Sequence, residues 1–346
     1  MYNLIKQQNS SQPHLQSPLT LPILMSKQQP ANAAPLKRPV VTLAGFGEVG
    51  QTYACALLAQ GMSVRVYHPA ASALTRQAAQ QKGLSIDSNA LTAFSQADLV
   101  LSVAPGAAAL GIAKVASVVM KPGALFVDFT SAAPAVIREA AALFPSDAYV
   151  DVAIMGALSI HGHHTPLLAA GRGAARLDAH LRPLGFEIEC MPGSASGDAT
   201  ALKLLRSVFT KGMDAVVIEC LLAAEAAGLR PQLLQQMADM DRIPMRETIE
   251  MYVRTHAASA TRRLHEMEAV HGQLDDLGIH SLVTPAVLER YRRTVTMLGP
   301  AARNPPVPEG GNIYDAVLPW LLAAENAAMG PTCAVEASPS ISPPQG

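Results

Sequence analysis

The chain has 346 residues, of which 49% are hydrophobic and 15% charged, and its formal net charge at pH 7 is −1. This length and composition allow about two domains with well-buried cores. A charge so close to zero gives no electrostatic basis for binding nucleic acid or an anionic membrane, and no apolar run approaches the roughly 20 residues that span a bilayer. The four cysteines show no metal-ligand spacing, which predicts reduced thiols and a cytoplasmic location.

The two ends of the chain differ from its middle. Residues 1–38 are rich in Gln, Ser, Pro and Asn without hydrophobic periodicity, so we expect a disordered extension. A signal peptide is an alternative, although its apolar stretch, Leu19–Met25, is short and contains Pro22; translation from Met25 is another. The proline-rich tail, 330–346, is also predicted to be disordered.

A glycine-rich loop follows the first apolar run, Val40–Ala44. Gly45, Gly47 and Gly50 form the pattern G-x-G-x-x-G, and a predicted helix, 51–60, comes directly after it. Gly45 permits the tight turn, Gly47 lets a pyrophosphate approach the backbone, and Gly50 lets the helix pack closely on the strand. The helix N-terminus then offers unpaired N–H groups to the phosphates. This strand–loop–helix order predicts a dinucleotide-binding unit.

Strand-like runs alternate with Ala-rich helices through the first half of the chain. The predicted strands are Val40–Ala44, Val64–Tyr67, Leu99–Val103, Leu125–Asp128 and Tyr149–Ile154, with helices at 70–82, 107–120 and 133–143 and further strands at 167–170 and 186–190. This alternation predicts an α/β fold: an N-terminal Rossmann domain, 39–193, with a doubly wound parallel sheet. From Asp198 the pattern is helical, which predicts an all-α C-terminal domain, 194–329, for substrate binding and dimerisation.

One long helix, 199–227, is apolar on most faces, which predicts burial on most faces. Lys203, Ser207 and Lys211 are spaced i, i+4 and i+8, so they form one polar stripe. Such a stripe needs a cleft or a partner, unless Lys203 extends to the surface between the domains.

Three further motifs carry a family resemblance over residues 39 to about 225. They are Asp128–Pro134, Asp151–Ala157 and the start of the long helix, Gly197–Ser207. With the glycine loop, they resemble the β-hydroxyacid dehydrogenase superfamily, which includes 3-hydroxyisobutyrate and 6-phosphogluconate dehydrogenases. Segments 203–212 and 256–268 are more similar to a phosphogluconate-dehydrogenase-like subgroup with a poorly characterised C-terminal domain.

The resemblance implies roles for individual residues. Lys203 matches the catalytic lysine, and an amine in a partly apolar cleft has a lowered pKa that suits it to accept a hydroxyl proton. The implied substrate residues are Thr130, Ser131, Met155, Gly156, Ala157, Arg206 and Ser207. Met155, Ala157 and Ser207 depart from the serine, glycine and asparagine of the family pattern, so we expect different substrate contacts. A domain-packing role for Arg206 is the alternative.

The resemblance implies an NAD(P)-dependent oxidoreductase acting on a CH–OH group. Hydride would pass between the nicotinamide and a small-molecule hydroxy acid of the 3-hydroxy type, with loss of CO₂ when the product is a 3-oxo acid. The alternatives are an imine-reductase-like NADPH-dependent reductase and a non-catalytic nucleotide-binding sensor.

The cofactor is expected to lie on the loops that follow three strands. The residues assigned to it are Gly45, Phe46, Gly47, Glu48, Val49, Gly50, His68, Val103, Ala104 and Pro105. An acidic residue after the second strand would bind the adenosine ribose and favour NAD, but His68–Pro69 stands there. Because Arg76 lies a little further on, with Ser72 and Thr75, the sequence favours NADP over NAD.

Two polar clusters have alternative interpretations. His161, His163 and His164 lack a nearby Asp, Glu or Cys to complete a metal site, so we predict no metal. Arg262 and Arg263 lie either on a solvated helix face or near the active-site cleft of a second subunit. The long apolar helix predicts a homodimer through the helical domain.

Overall fold

A computed structural model of the protein describes residues 39–299 and 311–329. The predicted extension, 1–38, and the tail, 330–346, with Cys333, lie outside these residues. Within the described part of the chain, no helix combines the length and apolarity that crossing a bilayer requires.

Eight strands form one sheet in the order β3-β2-β1-β4-β5-β6-β7-β8. The strands are β1 (Val40–Ala44), β2 (Ser63–Tyr67), β3 (Ile86–Asp87), β4 (Leu99–Ser102), β5 (Leu125–Asp128), β6 (Tyr149–Ile154), β7 (Leu167–Ala170) and β8 (Ile188–Cys190). The strand order reverses between β1 and β4, and in open α/β sheets such a reversal leaves a crevice at the carboxyl ends of the strands.

The parallel sheet that the sequence predicts is observed from β3 through β6, while β7 runs antiparallel to β6. An antiparallel neighbour needs no crossover helix packed on the sheet face, and only short helical turns connect β6 to β7. β8 then pairs parallel to β7. β3 was not predicted, because two residues are too few to show periodicity.

Helices cover both faces of the sheet. They are α1 (Glu48–Ala59), α2 (Ala73–Gln81), α3 (Ala90–Phe94), α4 (Ala109–Val119), α5 (Pro134–Ala141), α6 (Leu158–His161) and α7 (Ala174–Leu181). On one face, Tyr53 packs edge-on against Phe129 and Phe186, and on the other Phe126 stacks on Phe144 and Tyr149. These two apolar layers bury nearly all of the central strands β1, β4, β5, β6 and β7, as their near-continuous hydrophobic sequences require, while β2, β3 and β8 keep exposed or partly exposed positions.

The C-terminal part is helical throughout its described residues. Its helices are α8 (Asp198–Ala226), α9 (Arg230–Met237), α10 (Met245–Thr255), α11 (Ala260–Asp276), α12 (Val283–Leu298) and α13 (Ile313–Met329). At 29 residues, α8 is about 43 Å long. It is apolar, but a single chain leaves it open, with Leu205 67% and Val208 75% exposed. The predicted burial on most faces is therefore not achieved within one chain.

The C-terminal half of α8 is tied to α12 by one carboxylate. Glu219 accepts hydrogen bonds from the backbone N–H groups of Leu282, Val283 and Thr284, at 2.6, 2.8 and 2.8 Å. These groups belong to the first turn of α12, where intrahelical partners are missing. Burial acts to raise the pKa of Glu219, but the hydrogen bonds from Thr284, Val283 and Leu282 outweigh it and lower the pKa to about 2.

We expect Glu219→Gln to destabilise the fold at pH 7 by about 1–2 kcal/mol, because an amide offers one acceptor oxygen where the carboxylate offers two. The melting temperature should fall by a few degrees. Because the folded-state pKa of about 2 lies below the ordinary value of 4.5, this stabilisation is complete above pH 4.5 and is lost as the pH falls toward 2. The difference between variant and parent should shrink over that range. Glu289→Gln, at a 67% exposed side chain, is the control, and equal melting temperatures for both variants at pH 7 would refute the capping role.

Candidate functional site

A cavity of about 690 Å³ opens at the carboxyl edge of the sheet, where the strand order reverses. Its walls come from the loops after β1, β2 and β4 and from one face of α4. The lining residues are Gly45, Phe46, Gly47, Tyr67, His68, Pro69, Ala70, Val103, Ala104, Pro105, Ala108, Gly111 and Ile112. Seven of the residues that the sequence assigns to a cofactor therefore meet at one cavity.

Each of the three glycines in the loop suits its position for a different spatial reason. Gly45 has φ +112°, and a Cβ there would lie 3.0 Å from the Ala104 nitrogen. A Cβ on Gly50 would lie 2.7 Å from the Gly45 carbonyl oxygen, so only glycine allows α1 to start this close to the loop. At Gly47 a Cβ would meet nothing within 4 Å, so this position faces open space.

The start of α1 suits a pyrophosphate. Gly47 is the N-cap, and no side chain caps the first N–H groups of the helix. Unpaired N–H groups and the positive end of the helix dipole favour an anion at this place. The residues present therefore fit a dinucleotide.

Three residues assigned to the cofactor do not line this cavity. Val49 packs against the apolar core, and Gly50 faces the Gly45 carbonyl. Glu48 lines a separate surface depression with Cys55 and Lys82. These three residues belong to the first turn of α1, and their side chains do not form the cavity wall.

Sequence reasoning missed the wall that α4 contributes. Ala108, Gly111 and Ile112 are spaced i, i+3 and i+4, which places them on one helix face. A run of small side chains at this spacing opposite a glycine loop was the available signal. Together with Pro69 and Ala70, this face makes much of the cavity wall apolar.

The loop after β2 carries His68 where an NAD-type acid would stand. The His68 backbone N–H donates to the Asp87 carbonyl at 3.0 Å, which fixes the loop beside β3. None of the described residues that line the cavity is acidic. Arg76 and Thr75 lie on α2, and Ser72 is its N-cap, accepting from the Thr75 N–H at 3.1 Å.

The lysine on α8 meets the turn that follows β5. Lys203 Nζ lies 3.2 Å from Ser131 Oγ, although 72 residues separate them. Burial lowers the pKa of the Lys203 ammonium, and the Asp151 carboxylate partly opposes this. The arrangement places an amine that can lose its proton beside a hydroxyl that can relay or hold one.

The predicted substrate residues Thr130, Gly156 and Met155 differ in their burial and in what they pack against. Thr130 is buried beside Ser131, and Gly156 packs close to Thr165. Met155 lies against a small apolar cluster that includes Ala199 of α8.

Three further predicted substrate residues contact solvent or their own helix. They are Ala157, on the loop after β6, and Arg206 and Ser207, on α8. Ala157 is the exposed N-cap of α6, and Arg206 is exposed. The Ser207 hydroxyl donates to the Lys203 carbonyl at 3.0 Å, so it bonds within its own helix.

The histidine cluster is held by local packing. The rings of His163 and His164 lie 4.0 Å apart, His163 packs edge-on against Phe186, and His164 Nδ1 is 2.9 Å from the Gly185 carbonyl oxygen. Among the described residues, no group of three or more His, Cys, Asp or Glu side chains has metal-binding geometry. Burial lowers the pKa of His163.

The two arginines of α11 bond within the helical domain of one chain. Arg262 pairs with Glu266 one turn along the helix, and Arg263 donates to the Thr255 hydroxyl at 2.8 Å. Neither contact brings them to Lys203 of the same chain.

Two family models match the chain. The NAD binding domain of 6-phosphogluconate dehydrogenase matches residues 40–160, and a domain of unknown function, DUF1932, matches residues 224–294. An uncharacterized 28.5 kDa protein in the 7S RNA 5′ region of Methanothermus fervidus is 27% identical over 197 residues, which is 57% of this chain and 75% of that protein.

Solved structures agree with these matches. A conserved protein of unknown function, described as structurally similar to 3-hydroxyacid dehydrogenases, is 30% identical; the match covers 74% of this chain and 96% of that one, with a TM-score of 0.51. An imine reductase from Streptomyces aurantiacus shares the fold at 21% identity and a TM-score of 0.61, covering 73% of this chain and 93% of that one.

The fold and the cavity define an oxidoreductase-type protein that binds a nicotinamide dinucleotide. The chain belongs to the β-hydroxyacid dehydrogenase superfamily, and within it to the phosphogluconate-dehydrogenase-like subgroup whose NAD-binding domain is followed by DUF1932.

Gly47→Val tests the cofactor loop. Because a side chain at Gly47 meets open space, the variant should fold normally, yet it should block the pyrophosphate and weaken NADP⁺ binding at least about tenfold, or ~1.4 kcal/mol. Calorimetric titration measures the affinity. Gly272→Val on α11, where a Cβ also meets nothing, is the matched control and should bind as the parent does. Unchanged affinity in Gly47→Val would remove the loop from the cofactor site.

Proposed function

We propose that this protein transfers a hydride between a nicotinamide cofactor and a hydroxy acid of the 3-hydroxy type, with Lys203 as general acid and base. The observation that carries the proposal is the 3.2 Å contact between Lys203 Nζ and Ser131 Oγ, at the same sheet edge as the cofactor cavity. The bound nicotinamide supplies the acceptor or donor for the hydride.

The chain's own groups handle the proton. In oxidation, neutral Lys203 accepts the proton of the substrate hydroxyl, and in reduction the ammonium form returns it to the carbonyl oxygen. Partial burial favours the neutral amine. The exposed Ser131 hydroxyl and the Gly156 backbone are the groups that suit a substrate carboxylate, whereas the Thr130 hydroxyl oxygen is buried. A 3-oxo acid product would lose CO₂ after oxidation.

Lys203→Met should lower kcat by about 10²–10⁴-fold while nucleotide affinity stays within a few-fold, because only the proton transfer is removed. In the parent, the oxidation rate should rise with pH as Lys203 loses its proton and level off below its ordinary pKa of 10.5, and reduction should fall over the same range. Steady-state rates across pH with hydroxy acids and keto acids measure both. A variant that retains most of the activity would disprove this mechanism.

The same substrate panel separates the alternatives when cyclic imines are included. Turnover of imines alone would favour an imine-reductase-like activity. Nucleotide binding without any turnover would favour a sensor.

We also propose NADP as the preferred cofactor. His68 occupies the position of the acid that would bind an unphosphorylated ribose, while Arg76 lies on the adjoining helix. Comparing the affinities for NADP⁺ and NAD⁺ tests the choice.

The three described cysteines are free thiols, which supports a cytoplasmic location.

We further propose that the protein is a homodimer joined through the helical domain. Within the described residues, the clusters of buried hydrophobic side chains centre on the sheet, whereas α8 exposes Leu205, Val208 and Phe209. An apolar cavity of about 560 Å³ lies between α8, α9, α11 and α12. A second copy would cover this surface and bring its own Arg262 and Arg263 toward a neighbouring site.

Light scattering should give a dimer mass at micromolar concentration. Val208→Glu on α8 should shift the protein toward monomer, because a carboxylate would be buried in the interface. Val118→Glu is the matched control: Val118 is equally helical and 83% exposed, but it lies on α4 of the sheet domain. A monomeric parent would contradict the proposed dimer.

A further inference from the structure

The start of α8 is fixed to the sheet by one buried carboxylate. Asp151, within β6, is 0% exposed. Its Oδ2 accepts the backbone N–H groups of Gly197 and Thr200 at 2.9 and 3.0 Å, and its Oδ1 accepts the Thr200 hydroxyl at 2.5 Å. Three donors from the first turn of α8 therefore converge on one side chain, so this end of the helix cannot slide along β6 without exposing or unpairing a buried charge.

Lys203 lies three residues beyond Thr200, on the next turn of the same helix. A helix is rigid over one turn, so the anchor at Asp151 determines where the Lys203 side chain begins. From there Nζ reaches Ser131 at 3.2 Å. A shift of about 1 Å at the anchor would lengthen this contact beyond hydrogen-bonding range.

A second carboxylate holds the opposite side of the contact. Asp128 is the register partner of Asp151 on β5, and it is also 0% exposed. Its Oδ1 accepts the Thr130 N–H at 2.8 Å and its Oδ2 accepts the Tyr149 hydroxyl at 2.7 Å. Asp128 thus shapes the turn that presents Ser131, while Asp151 sets the helix that presents Lys203.

The charged groups around this contact come from several elements. Asp128 and Asp151 lie on the strands, and burial raises the pKa of each carboxyl, opposed by its hydrogen bonds. Arg138 of α5 packs against Gly197. On α8 itself, Asp198 accepts the Ala195 N–H at 2.8 Å and Arg206 is exposed. Of these carboxylates, Asp151 is the one whose negative charge opposes the lowering of the Lys203 pKa by burial.

We propose that Asp151 is a positioning residue for Lys203: it anchors the first turn of α8 so that Nζ stays at Ser131, and its negative charge stabilises the protonated lysine. This inference rests on the proposed role of Lys203 as general acid and base.

The experiment compares Asp151→Asn and Thr200→Val in the full chain. We expect Asp151→Asn to lower kcat by about tenfold or more with NADP⁺ affinity within a few-fold, because the cofactor loop is untouched. Titration of ¹³C-methylated lysines by NMR, with Lys203→Met to assign the signal, should show a lower pKa for Lys203 in this variant, since a neighbouring negative charge is gone. Thr200→Val should lower kcat without moving that pKa, because the carboxylate remains, and Thr200→Ser should restore kcat.

Parent-like kcat in Thr200→Val, or an unchanged Lys203 pKa in Asp151→Asn, would overturn the proposal. If Asp151→Asn fails to fold, the Thr200→Val and Thr200→Ser pair decides, since rescue by serine supports the anchor and parent-like kcat in the valine variant refutes it. Absence of turnover in the parent would refute the proposed function, whereas the NMR titration would still test the coupling of Asp151 to Lys203.

Discussion

The parallel alignment of β2, β1, β4, β5 and β6 is the constraint on which the whole site depends. Parallel strands send their carboxyl ends to one edge of the sheet, so the loops that follow them must meet there. The glycine loop, His68 and the segment 103–105 reach the cavity for this reason. The same geometry brings the turn after β5 to Lys203 of α8. Helical packing on both faces fixes the alignment by burying the central strands β1, β4, β5 and β6 almost completely.

The long helix α8 answers a different requirement. Its first turn is hydrogen-bonded to Asp151 of β6, and its C-terminal half is hydrogen-bonded to α12 through Glu219. The helix therefore connects the sheet to the other helices of the C-terminal part. Between these anchors it exposes a wide apolar surface that one chain does not cover. Exposed apolar patches of this kind favour association, which is the physical basis of the proposed dimer. The helix therefore carries both Lys203, the proposed proton-transfer residue, and the surface of the proposed dimer interface.

Local patterns predicted most of the sheet domain, because its central strands are continuous or nearly continuous apolar runs separated by Ala-rich helical stretches. The two-residue β3 was too short to be predicted. Gly45 and Gly47 could be assigned from spacing alone, since their roles depend on the adjacent backbone. The α4 wall with Gly111 was missed, because it faces the cavity only after the sheet has formed. Family resemblance assigned Lys203 and Ser131 to one site but did not predict the contact between them. The anchoring of α8 by Asp151 was not predicted. Both depend on how α8 packs on β6, which no local periodicity encodes.

The retained lysine and the altered substrate positions reflect separate physical demands. The proposed proton transfer needs one amine at one hydroxyl, and Lys203 and Ser131 would provide that pair. Substrate binding depends on shape and charge around them, and here Met155 packs into an apolar cluster while the Ser207 hydroxyl is used within α8. Neither offers a polar group to a carboxylate, which limits the proposed carboxylate contacts to the exposed Ser131 hydroxyl and to exposed basic side chains such as Arg206.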